Sequence, residues 1–130
     1  MIVWTHVGNA AVLQAITNKA AFLGLYGGNV MPTPEMTSGS DLGELAPSTG
    51  YERASLKPAD WRIDADLGLA QHAKVEFLFT APPGLVRGYL VTDIGGSVVW
   101  ASPFENARDF SEFGGRLGII PTIRLRSNSV

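Results

Sequence analysis

The sequence contains no cysteine. That excludes disulfides, cysteine-ligated zinc, iron–sulfur clusters and thiol nucleophiles. Charge is sparse: Asp, Glu, Lys and Arg make up 17% of the chain, and the formal net charge is −2. A surface with so few and so balanced charges is not generally basic, so nucleic acid is not expected as a partner. Arg124 and Arg126 are the one local basic pair. No run reaches the roughly 18 apolar residues of a membrane-spanning helix. Residues 1–16 are fairly apolar but lack a basic leader, and His6, Asn9 and Gln14 interrupt them. Neither a signal peptide nor membrane association is predicted.

Recognisable catalytic frames are missing too. The two histidines, His6 and His72, lie far apart and outside any HExxH or HxH frame, so both read as ordinary surface or core residues. There is no GxSxG elbow for a serine nucleophile. Gly27-Gly28, Gly95-Gly96 and Gly114-Gly115 are not followed by Lys-Ser/Thr or by a helical pattern. They read as turns, not phosphate cradles. Asp60, Asp64 and Asp66 flank Arg62, and an extended chain would put Asp64 and Asp66 on one face. The alternation stops at Gly68 with no closing Glu, so a solvated acidic turn is expected rather than a cation site. No cofactor, no metal and no enzymatic activity are predicted.

The chain has 130 residues, 45% of them hydrophobic, with 15 Gly and 8 Pro. That length and balance predict one globular domain that folds without staples, rich in reversals. Asn9 reads as an N-cap, followed by a short helix over about 10–17 with Val12, Leu13 and Ile16 on one face. Residues 1–20 therefore form an N-terminal arm or short helix, and 21–130 the main domain. Ala21–Tyr26 reads as a buried strand. Residues 28–50 form a long loop rich in Pro, Gly, Ser and Thr. Tyr51–Leu56 alternates weakly, and Lys57–Gly68 is a connector. In Ala73–Phe79, Val75, Phe77 and Phe79 face one way and Lys74 and Glu76 the other, the mark of a half-buried strand. Leu85–Thr92 and Ser97–Ser102 flank Asp93-Ile94-Gly95-Gly96, a hairpin signal. Residues 103–115 look irregular, with a short strand near Asp109–Phe113. Arg116–Arg126 alternates but is split by Pro121. Seven or eight short strands and one helix predict an all-β fold, an antiparallel β-sandwich or jelly-roll-like domain.

Three groups stand out as contact candidates. Val3, Trp4 and Val7 lie near the chain end, where an apolar arm suits docking. Met31, Met36 and Leu42 lie in a loop long enough to be either functional or packed back on its own domain. Trp61 follows Pro58-Ala59-Asp60 and reads as the tryptophan best placed to stack on a ligand such as a sugar. Trp100 and Tyr89 fall inside the hairpin and are expected in the core.

Several segments, in order, resemble small virion structural proteins of tailed bacteriophages, known as head-decoration, head-fibre or tail-fibre-like proteins. The carriers are Leu23-Gly24-Leu25-Tyr26 with Asn29 and Pro32-Thr33, then Thr49-Gly50-Tyr51 with Trp61. Gly88–Asp93 with Val98–Phe104, and finally Ile119–Leu125, complete the series. The resemblance spans about 20–126. It departs at Ser102 and Glu105, where the family pattern carries its acidic residue earlier. The resemblance implies a virion component with a β-sandwich and supplies no catalytic residues. It implies a capsid decoration or cement protein on the outer surface of an assembled head, with the major capsid protein lattice and further copies of itself, as a dimer or trimer, for partners. The alternative is a receptor- or glycan-binding module on a fibre.

Overall fold

The computed structural model describes residues 2–112 and 114–125. Its first element is helix α1, His6–Lys19. The helix begins four residues before the expected start. Its cap is Thr5, whose Oγ1 accepts from the Gly8 amide at 3.1 Å. Asn9, expected as the cap, lies inside the helix and donates its side-chain amide to the Ala65 carbonyl at 3.0 Å. Thr5 wins because its backbone is extended and its hydroxyl reaches an orphan amide of the first turn. Thr5→Ala should cost about 1 kcal/mol, read as a lower denaturant midpoint with an unchanged m-value.

Nine strands follow among the described residues: β1 Phe22–Tyr26, β2 Ala54–Ser55, β3 Trp61–Asp64, β4 Leu69–His72, β5 Val75–Phe79, β6 Gly84–Thr92, β7 Val98–Phe110, β8 Gly115–Ile119 and β9 Thr122–Arg124. All their pairings are antiparallel. They form sheets in the orders β2-β1-β6-β7, β3-β4-β9 and β5-β8. The fold is an all-β, sandwich-like domain with an N-terminal helix. Two expectations change here. The connector 57–68 holds β3, and a 3₁₀ turn at Pro58–Asp60 delivers the chain into it. The segment 103–115, expected to be irregular, carries β7 to Phe110.

β7 is long but not continuous in its pairing. Gly88 faces Pro103 and Val86 faces Arg108, so residues 104–107 bulge out opposite Arg87. β7 has one strand neighbour among the described residues, β6. An edge strand tolerates Pro103, which an inner strand would not. Phe104 packs on the core, and the Arg108 guanidinium lies 6.0 Å from its ring centre. The bulge is thereby tied at both ends.

The main core is filled from every layer. Leu23 and Leu25 of β1 meet Tyr89 and Val91 of β6, and Phe77, Phe79, Leu117 and Ile119 come from β5 and β8. Trp61 and Ala70 come from β3 and β4, and Leu13 from α1. The helix thus sits across β3 and β4. Burying a leucine such as Leu13 contributes about 2 kcal/mol. The opposite face of β1 and β6 is also covered. There Tyr26 and Leu90 pack with Leu42, Met36 and Ala101. The cover is the 27–50 loop, laced to β1 by Gly27 and Gly28 amides on the Gly43 and Leu42 carbonyls and by the Leu45 amide on the Leu25 carbonyl. Double burial explains why Gly88–Thr92 is buried at successive positions rather than alternately.

Candidate functional site

The structure separates the expected contact residues. Leu42 is 1% exposed and belongs to the second core. Met36 is half-buried against that core. The long loop is therefore a packed flap, and Leu42 is not available to a partner. Met31 alone of the three stands well out in solvent. Trp61 is 9% exposed and is corrected from ligand platform to core. As the first residue of β3 it turns inward, edge-on to His72 with ring centres 5.2 Å apart and 6.1 Å from Trp100. Neither face is free to stack on a ligand.

His72 is a satisfied core histidine. Its Nε2 accepts from the Lys57 amide at 3.2 Å, and its Nδ1 faces the Ala73 carbonyl at 2.7 Å. Asp64 Oδ1 accepts from the Asp66 and Leu67 amides, closing the acidic turn on itself. Among the described residues no group of three or more His, Asp or Glu is placed to hold a metal.

The flap is locked by a cluster with no motif in the sequence. Glu44 accepts two hydrogen bonds from Arg53, Nε at 2.8 Å and one terminal nitrogen at 2.7 Å. The Tyr51 hydroxyl donates to Glu44 Oε2, the oxygen that also accepts from Arg53 Nε, and accepts from the Leu25 amide at 3.1 Å. A side chain at position 24 would collide here: a Cβ on Gly24 would lie 2.6 Å from the Tyr51 hydroxyl. Burial pushes the Tyr51 hydroxyl's pKa well up, and the Glu44 carboxylate adds to that. Burial works to raise the Glu44 pKa as well. The Arg53 and Tyr51 hydrogen bonds and the Arg53 charge outweigh it, and the net shift is downward. A groove of about 720 Å³ runs alongside, lined by Ser40, Leu45, Pro47 and Glu52 besides the cluster itself. The three side chains bind one another and the Leu25 amide, so they act as a clamp between flap and sheet.

The N-terminal arm is the clearest unspent surface. Val3 is 74% exposed and Val7 82%, with Ile2 beside them. Their base is fixed by the Thr5 cap and by His6, whose Nδ1 lies 3.1 Å from Asp66 Oδ1. Trp4 differs from its neighbours. It is 47% exposed and turns back beside Asn9, Asp66, Leu67 and Arg124. No family model, no curated protein and no solved structure matches this chain.

Proposed function

We propose that this chain is a non-catalytic virion component that docks on the outer surface of an assembled head and stabilises it. The observation that carries this reading is the arm: Ile2, Val3 and Val7 stand in water on a base carrying the Thr5 helix cap and the His6–Asp66 contact. Large apolar side chains grouped at one end of a domain suit a protein partner. The resemblance of residues 20–126 to tailed-phage virion proteins supplies the setting. Repetition of one small contact over a lattice gives avidity that no single contact has. Binding to the assembled shell and not to its free subunits stabilises the shell by mass action.

The test is docking of purified chain onto heads stripped of it, read by co-sedimentation and gold labelling. Intact chain should sediment with heads and label them at regular density. Val3→Asp/Val7→Asp should weaken docking by about 100-fold, since two buried valines become charged. Its melting temperature should not change, because both side chains are exposed in the free chain. Docking that survives the double substitution removes the arm from the interface. Label confined to the tail tip, or no label at all, overturns the head assignment.

A further inference from the structure

Beside the arm lies a cleft of about 440 Å³, lined by Trp4, Asn9, Asp66, Leu67, Gly68, Arg124 and Leu125. That volume falls in the range of small-ligand sites. Its parts come from three places: the arm and first turns of α1, the 65–68 turn, and β9 with the residue after it. Trp4 is its one aromatic wall. The ring lies against the first helical turn, with Trp4 Cε3 only 3.3 Å from where a Cβ on Gly8 would stand. A side chain at position 8 would push the indole away; glycine lets it settle on the backbone. The indole is thus held from the helix side while about half of the residue stays in contact with water.

The polar groups around that wall are of both kinds. Asn9 has its amide nitrogen committed to Ala65, which leaves its carbonyl oxygen as an acceptor. Asp66 has Oδ1 beside His6 and its second oxygen uncommitted among the described residues. Arg124 is exposed and pairs with no carboxylate among the described residues. Leu67 and Leu125 complete the apolar part of the lining. The lining of the cleft therefore combines one aromatic side chain with two acceptors and one fork of donors.

From this we infer a binding site for a neutral pyranoside. The class follows from the chemistry. A pyranose presents C–H groups on one face, which suit the indole, and hydroxyls around its rim. Each hydroxyl both donates and accepts, so one rim serves the Asn9 and Asp66 acceptors and the Arg124 donors together. A flat apolar ligand leaves those three groups unpaired. An anionic ligand gains from Arg124 but meets the Asp66 carboxylate. The inference stands apart from the docking reading, which uses Ile2, Val3 and Val7.

The test is titration of the purified chain with methyl pyranosides of the gluco, manno and galacto series. Saturation-transfer NMR and intrinsic fluorescence are the readouts. A single stacked sugar with a few hydrogen bonds binds at about 1 mM. Fluorescence is selective here, because Trp61 is buried and Trp100 half-buried against the core, leaving Trp4 as the exposed reporter. At least one series should give transfer to its ring protons and a saturable change in emission. Trp4→Ala should abolish both. Arg124→Ala should weaken binding by about tenfold, with circular dichroism unchanged. Absence of binding by all three series at about 50 mM overturns the inference. So does binding that neither substitution affects, or a preference for uronates or nucleosides over the neutral sugars. Val3→Asp/Val7→Asp should leave sugar binding intact, which separates a failure here from a failure of docking.

Discussion

Glu44→Ala should cost about 3 kcal/mol of folding stability at neutral pH. The size follows from what the substitution strands. Arg53 and the Tyr51 hydroxyl both lose their carboxylate partner, and both are largely shielded from water. Breaking a buried pair by removing one member costs more than the pair contributes net, because an uncompensated charge remains. Arg53 keeps some access to water, which holds the figure at the low end of the range for such pairs. Glu44→Gln should cost less, since it keeps the shape and one acceptor. Chemical denaturation of both variants tests the clamp: a loss below about 1 kcal/mol for Glu44→Ala would place it in the class of surface ion pairs.

The same residue predicts a pH dependence. Glu44 has a lower pKa folded than its ordinary value of 4.5. A lowered carboxylate contributes stability that is fully present above the unfolded value and is lost as pH falls through the folded one. Stability of the intact chain should therefore decline on acidification below about pH 4.5. The Glu44→Gln variant should show a shallower decline over the same range. Asp41 and Asp109 have lowered pKa values from hydrogen bonds by nearby backbone and Ser groups. They decline in both proteins and so drop out of the comparison.

Leu42→Ala should cost about 3 kcal/mol, the middle of the range for a fully buried leucine. Met31→Ala should change stability by less than about 0.5 kcal/mol. The two residues lie in the same loop, but Leu42 is enclosed by Tyr26 and Leu90 and Met31 is in water. The pair of measurements separates a flap that belongs to the core from an arm that waits for a partner. Equal and small effects would mean that the second face of β1 and β6 is covered only loosely.

The sequence made the central strands legible. The alternation in Val75–Phe79, the apolar run at 85–92 and the turn at 93–96 are local signals, and the strands lie there. Pro121 separates β8 from β9, as its missing amide requires. The helix start was hidden, because Thr5 lies within an apolar stretch that reads as an arm. WRID and LAQH carry too few apolar residues to announce β3 and β4; their pairing with each other, and that of β4 with β9, is a long-range fact. The bulge at 104–107 broke the period of β7 and hid its second half. Trp61 lies in the core although its neighbours suggest a loop, because the flanking Pro and Asp describe the turn before it, not the face it takes after. Tyr51 and Arg53 share the i, i+2 spacing of an extended chain, but Glu44 comes from a separate stretch of the flap, so no single local pattern announces the clamp. The cleft gathers Trp4, Asp66 and Arg124 from distant parts of the chain. Only folding brings such groups together.

The interrupted pairing of β7 also bears on how this protein behaves when crowded. A strand on the rim of a sheet is a template on which another chain can polymerise, provided its amides run in one unbroken row. Here the row is cut: Pro103 has no amide to offer, and the residues after it swing out of line before pairing resumes at Arg108. An incoming strand finds two short segments out of register instead of one long one. Concentrated solutions of this chain are thereby guarded against ribbon-like aggregation along β7, and any self-association is steered to other surfaces.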